Sequence, residues 1–325
     1  MYPPEQPNSG YGNKQYQYSD MSVEKYGTGE NIYFIFKPIG FKQEKAPLIV
    51  FFHGWLALEP DNYWYWIKHI VRKGNIVLFP VFQNYITNSP GFIKNSADAI
   101  LAGIKVLQNS DLKPDLDRVG FIGHSVGGIV SVDLAIKYKE KQLPKPKFVL
   151  SVEPGSTNIH LEINNKNITI KGIQLTKLYD LSKFPSNVNL ITIVGKDDTE
   201  VFDYDAKTIF QKAQTKNKLY VSVNSDNYGS TPLIANHYFP AAPKEGFKPN
   251  VVLSTLIKIK QPDVWKNLYQ IMIVNTLDYY VTYKFSDFIE DISFNNKNIQ
   301  SDSKSLSYMG TWSDDTPVKP LDITF

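Results

Sequence analysis

The sequence predicts an α/β protein with a doubly wound, mostly parallel sheet, a cap-like insertion and a C-terminal elaboration. Three observations predict it. Short apolar runs alternate with helical patterns along most of the chain. The runs lack the apolar/polar alternation of a sheet with one wet face, so they read as strands buried on both sides. No period of roughly 20–50 residues repeats, which sets aside solenoids and propellers.

Taken in order, the expected strands are Ile32–Ile39, Leu48–Phe52, Ile76–Phe79, Val119–Ile122, Phe148–Val152, Leu190–Val194 and Leu219–Val223. Asp61 is the expected N-cap of a helix running to Arg72. The segment Ser96–Leu107 places Ile100, Leu101, Ile104 and Leu107 on one helical face, and Gly128–Tyr138 follows the next strand as a helix. Residues 1–28 form an N-terminal tail expected to be poorly ordered, and 29–325 one domain. Within that domain 155–187 is too long for an ordinary connection and reads as a cap-like insertion over the site. Leu175, Leu178, Leu181 and Phe184 are candidates for its apolar underside, although the same stripe suits ordinary packing. Residues 245–325 read as a C-terminal elaboration with a long helical pattern around Val264–Tyr283.

Composition excludes several function classes. Of 325 residues, 42% are hydrophobic and 21% charged, which suits a globular chain with a large core. A net charge of +3 argues against nucleic acid or an anionic membrane as partner. The absence of cysteine removes disulfides, thiolate metal sites and cysteine nucleophiles. No apolar run approaches the roughly 18 residues of a membrane span. The expectation is a soluble chain, either cytoplasmic or the mature form of an exported protein lacking its signal peptide. Neither metal-ligand spacing nor a phosphate-cradling glycine loop occurs, so neither a cofactor nor a metal is expected. Asn167-Ile168-Thr169 matches a glycosylation acceptor but carries no weight.

The chemistry centres on Gly123-His124-Ser125-Val126-Gly127-Gly128, a G-x-S-x-G motif between an apolar strand and a helix. A nucleophile elbow needs that strand–turn–helix setting, because its turn is sharp and its flanking positions have no room for side chains. A serine there stands at a helix N-terminus, whose dipole favours developing negative charge. With the pieces below, this stretch resembles the α/β-hydrolase superfamily of serine esterases and lipases, with some likeness to chlorophyllase-like and dienelactone-hydrolase-like members. The resemblance spans roughly Ile32 to Pro240.

The resemblance implies a triad in the chain order Ser, then Asp or Glu, then His. Ser125 is the nucleophile. Of five histidines, His53 and His124 lie in the oxyanion segment and the elbow, His69 in the first helix and His160 in the insertion. Only His237 follows the last core strand, where the family's general base sits. Asp198, in Gly195-Lys-Asp-Asp198-Thr-Glu-Val201, matches the turn that presents the acid. Its neighbour Asp197 and Glu153 remain alternatives, Glu153 because Ser-Val-Glu-Pro-Gly155 resembles chlorophyllase-like hydrolases. The oxyanion hole would use the backbone N–H of Val126 and of Trp55, in Phe51-Phe52-His53-Gly54-Trp55. A single glycine follows His53, in place of the glycine run of HGGG-type members. Trp55, Tyr63, Trp64, Tyr65 and Trp66 crowd the same region, some expected on the sheet and some at the site entrance. The expected reaction is hydrolysis of a carboxylic ester with a hydrophobic acid or alcohol through an acyl-enzyme, on a small-molecule or lipid-like substrate. Other acyl chemistry on the same triad and a non-catalytic binding protein are the alternatives.

Overall fold

The computed structural model describes residues 1–84, 87, 89–156, 159–163, 166–170, 176, 178–248, 254, 258, 272–299 and 303–325. Among them, nine strands form one sheet in the order β1-β2-β4-β3-β5-β6-β9-β10-β11. In chain order these are β1 (Met21–Tyr26), β2 (Tyr33–Pro38), β3 (Lys45–Phe52), β4 (Ile76–Pro80), β5 (Lys113–His124), β6 (Phe148–Val152), β9 (Asn189–Gly195), β10 (Lys218–Val223) and β11 (Asp322–Thr324). A separate antiparallel hairpin joins β7 (Ile159–Ile163) to β8 (Lys166–Ile170). Strands β4 to β10 form a continuous parallel block, with antiparallel β1, β2 and β11 at its edges. Runs such as Ile76–Pro80 and Asn189–Gly195 are buried at every position. Helices on both faces of the block leave no wet side that would select alternation.

One face carries α1 (Trp64–Arg72) and α5 (Lys284–Phe294), which pack Trp66, Ile67, Ile70, Phe285 and Phe288 against Ile49, Phe51 and Ile191. The opposite face carries α2 (Ser89–Gln108), α3 (Val126–Lys137) and α4 (Tyr204–Lys212), which pack Phe92, Ile100, Ile129, Val132 and Ile209 against Leu48, Val50 and Phe121. The sheet is therefore doubly wound, as expected. A short helix α6 (Ser303–Ser307) precedes β11.

Three expectations are corrected, and one open alternative, the stripe at 175–184, is decided. The tail over 1–28 is anchored rather than loose: it supplies β1, and the Tyr11 hydroxyl donates to Asp291 at 2.6 Å. Asp61 does not cap α1, because a 3-10 turn at Pro60–Tyr63 intervenes and Tyr63 takes the cap position. Leu181 and Phe184 are core residues on the α2–α3–α4 face with Leu178 packed against them, so that stripe is ordinary packing; Leu175 lies outside the described residues. The aromatics of α1 do not roof an entrance: Trp66 is fully buried, and Trp64 packs edge-on to Phe36 beneath the Lys244 ammonium. Of the helical pattern at 264–283, residues 264–271 lie outside the described residues; Asp278–Tyr283 form one π-helical turn leading into α5. Among the described residues no helix is long and apolar enough to cross a membrane.

Candidate active site

The site lies at the carboxyl ends of the parallel strands, where β5 turns into α3. Ser125 holds φ 56° and ψ −125°, a left-handed conformation that few side chains adopt without strain. The turn closes because its neighbours have no side chains. A Cβ on Gly123 would lie 2.1 Å from the Gly127 carbonyl oxygen, and one on Gly127 would lie 2.2 Å from that of Phe52. The Ser125 N–H donates to the Val152 carbonyl at 2.9 Å, which locks the elbow to β6.

Two loops bring the other expected residues to the serine. His237 Nε2 is 2.9 Å from Ser125 Oγ, and His237 Nδ1 is 2.8 Å from Asp198 Oδ2. Asp198 follows β9, and its other oxygen accepts the N–H groups of Glu200 at 2.8 Å and Val201 at 3.0 Å. Burial pushes the Asp198 carboxyl up, but His237 and these hydrogen bonds outweigh it and hold the group at about 2. It is therefore ionised wherever His237 could use it. The alternative Asp197 is exposed and does not reach the imidazole; its N–H donates to the Ala235 carbonyl at 3.1 Å.

Glu153, the other alternative, is fully buried at the end of β6 with φ 47°. One of its oxygens accepts the Gly195 N–H at 2.6 Å, while the imidazole hydrogen bond goes to Asp198. Burial first, and then the Asp198 charge, push Glu153 well above the usual carboxylate range. Among the described residues, Glu153, Asp198 and His237 are the one group that brings three metal-type donor atoms within 4.8 Å of one another. Both His237 nitrogens are already engaged by Ser125 and Asp198, and Glu153 holds its proton. The donor set thus suits proton transfer better than a cation.

The segment 53–56 passes directly against Ser125, since a Cβ on Gly54 would lie 3.3 Å from Ser125 Cβ. His53 is buried, stacks on Phe82 at 4.1 Å between ring centroids, and has Nδ1 2.7 Å from the Gly54 carbonyl oxygen. Burial lowers His53 to about 4, so at neutral pH the uncharged ring donates to that carbonyl. The Trp55 N–H shares a peptide plane with this carbonyl and points the opposite way. The Val126 N–H opens α3 and belongs to the unpaired first turn of a helix.

Two residues at the site were given no role in the sequence reading. Tyr63 Oη lies 2.9 Å from the Gly54 nitrogen and 2.8 Å from His124 Nδ1, and His124 Nε2 lies 2.9 Å from the His237 carbonyl oxygen. Tyr63 is one aromatic in a run of four, and His124 is the variable position of its motif. Nothing in spacing separates them from core residues; only their meeting in space does.

Comparison with known proteins agrees with this architecture. The family model described as chlorophyllase matches residues 11–162, a stretch that holds the elbow and the 53–56 segment and ends before Asp198 and His237. No curated protein sequence matches the chain. Among solved structures, an esterase from the fungus Rhizomucor miehei is 16% identical with a TM-score of 0.52, covering 78% of this chain and 87% of its own. A variant of the esterase rPPE is 15% identical with a TM-score of 0.50, covering 78% and 82%. The chain has the α/β-hydrolase fold and is similar to esterases that share it.

Proposed function

We propose that the chain is a serine hydrolase that cleaves carboxylic esters through an acyl-enzyme. The observation that carries this reading is the unbroken hydrogen-bonded chain from Ser125 Oγ through His237 to an ionised Asp198, at a serine with φ 56°. His237 takes the Ser125 proton as Oγ attacks the ester carbonyl, and Asp198 fixes the imidazole tautomer and stabilises the imidazolium. The N–H groups of Trp55 and Val126 receive the oxyanion. His237 then returns the proton to the departing alcohol, and a water repeats the sequence to release the acid. Trp55, partly buried in the 53–56 segment that passes Ser125, supports an ester with a hydrophobic acyl or alcohol group.

The test is intact-mass labelling with a fluorophosphonate, followed by peptide mapping and turnover of a graded p-nitrophenyl ester panel. The expected result is one adduct, on Ser125. Ser125→Ala should remove the adduct and leave turnover only about 10³-fold above water, the residue of binding and the oxyanion hole. A folded wild type that takes no label and turns over no ester would instead favour a binding protein. Label without ester turnover would point to other acyl chemistry.

A further inference from the structure

Acyl transfer on this site needs three loops held in register: the 53–56 segment, the elbow and the loop 235–240 that carries His237. A single buried polar chain threads all three. It starts at the Gly54 N–H, passes through Tyr63 Oη and the His124 ring, and ends on the His237 carbonyl, with contacts of 2.9, 2.8 and 2.9 Å. Tyr63 is 2% exposed and His124 5%, so water does not substitute for either partner.

The ends of the chain dictate where its protons lie. A backbone N–H only donates and a carbonyl only accepts. Gly54 therefore donates to Tyr63 Oη, which leaves the Tyr63 proton to go to His124 Nδ1. His124 must then carry its own proton on Nε2, where the His237 carbonyl accepts it. Every donor points the same way, from the 53–56 segment to the His237 backbone. Only a neutral His124 in this tautomer fits, because a proton on Nδ1 would leave the Tyr63 hydroxyl facing another donor. Burial, and then the nearby His237, hold His124 down at about 3, in keeping with that state.

Geometry shows what the chain controls. A Cβ on Gly54 would meet Tyr63 Oη at 3.1 Å, His124 Nδ1 at 3.2 Å and Ser125 Cβ at 3.3 Å, so this glycine sits wedged between the relay and the nucleophile. Its N–H is fixed by Tyr63 and its carbonyl by His53 and by the Ala57 N–H at 3.1 Å. Both peptide planes around Gly54 are thereby pinned, the second of which bears the Trp55 N–H. At the far end, the His237 backbone is tied to the residue directly before the nucleophile. Tyr63 also stands at the start of α1, and the N–H of Tyr65 in its first turn donates to the Ala242 carbonyl at 2.9 Å, beyond the same loop.

We propose that Tyr63 and His124 are positioning residues, which through this one-way hydrogen-bonded chain hold the Gly54–Trp55 peptide and the His237 imidazole in place around Ser125. The inference rests on the reading of Ser125, His237 and Asp198 as a catalytic triad. Tyr63 acts through the loops it restrains, and His124 does so as well while its ring packs against the His237 imidazole at 5.0 Å between centroids.

The experiment uses the full chain and p-nitrophenyl butyrate, with kcat normalised to sites titrated by a fluorophosphonate. Tyr63→Phe keeps the ring packing against Phe51 at 5.0 Å but deletes the hydroxyl. Its kcat should fall by about 10- to 100-fold with KM changed by less than about threefold, the signature of lost alignment rather than lost binding. His124→Asn keeps an acceptor for Tyr63 but no longer reaches the His237 carbonyl. Its kcat should also fall, and the acid limb of its kcat/KM profile should move to lower pH, because a loosened His237 pairs less well with Asp198. A merely structural role would leave that limb in place. Wild-type kcat per titrated site in either folded variant overturns the proposal. If Tyr63→Phe does not fold, His124→Asn carries the test. If neither folds, the chain of bonds is scaffold and the proposal fails. An unlabelled, inactive wild type overturns the triad reading and the inference together. Labelled variants that keep the full kcat per site of an active wild type overturn the inference alone.

Discussion

Asp198 and Glu153 stand side by side behind His237, and their surroundings drive them to opposite protonation states. Asp198 accepts two backbone N–H groups and faces the imidazole; Glu153 accepts one N–H and faces the Asp198 charge. Asp198→Asn should lower kcat by roughly 10³- to 10⁴-fold, because the amide cannot select the His237 tautomer or stabilise the imidazolium. Glu153→Gln should change kcat by less than about fivefold, since a neutral amide reproduces a protonated carboxyl and still accepts the Gly195 N–H. Equal losses in the two variants would sink this division of roles. Stability gives a second readout. The folded chain keeps the Glu153 proton, whereas the unfolded chain releases it above about pH 4.5. The Glu153 contribution is thus intact below that pH and is lost as pH rises. The urea midpoint of Glu153→Gln, relative to wild type, should accordingly be higher at pH 8 than at pH 5, and an equal shift at both would contradict the buried proton. Asp198 runs the other way: its contribution is present above about pH 3.8 and fades as pH falls towards 2.

At the scale of elements, what sequence patterns disclose depends on how each element is buried. Phe148–Val152 is legible from end to end because all five residues face packed helices. β3 and β5 extend beyond their apolar runs into Lys45–Pro47 and Lys113–Asp115, which pair with each other across a register shift before Leu48 and Val119. β1 and β11 escape notice because edge strands such as Met21–Tyr26 carry polar residues on exposed positions. The elbow is the element the motif specifies most fully, since its glycines answer to backbone contacts. Gly127→Ala must force α3 away from the end of β3, at a cost of about 3 kcal/mol or more. The same change at Gly246 meets nothing within 4 Å and carries only the strain of φ +75°, about 1 kcal/mol. Urea midpoints should separate the two variants, and only Gly127→Ala should lose fluorophosphonate labelling. A Gly127→Ala protein that labels normally would mean the elbow tolerates a side chain that this packing forbids.

Over the whole molecule, the cluster of Ser125, Asp198 and His237 was legible because a local motif, a strand–helix setting and scarce histidines confine it; the Tyr63–His124 pair was not, because no motif marks either member. The same limit hid how the chain ends are used. MYPPEQPNSGYGNKQYQYSD has the composition of a loose tail, yet its polar groups find fixed partners. Tyr11 bonds Asp291 and lies edge-on to Phe288, the Gly12 N–H donates to Asp287 at 2.8 Å, and the Thr276 hydroxyl donates to the Pro4 carbonyl at 2.8 Å. The Tyr2 N–H meets Ser313 Oγ at 3.0 Å. These contacts clamp the start of the chain onto α5 and the segment before β11, and so onto the face of the sheet that α1 shares. Deleting residues 1–17 removes these hydrogen bonds, near 1 kcal/mol each, with others from Met1, Asn13, Gln15 and Tyr16 to Ser230, Lys73 and His69 and an aromatic pair, offset by the ordering entropy of the tail. The expected net loss is about 3 kcal/mol, read as a lower urea midpoint, with labelling of Ser125 unchanged at temperatures where the shortened chain is folded. An unchanged midpoint would make the tail a passenger. A fallen midpoint with Ser125 no longer labelled would mean instead that the clamp reaches through α1 and Tyr63 to the site itself.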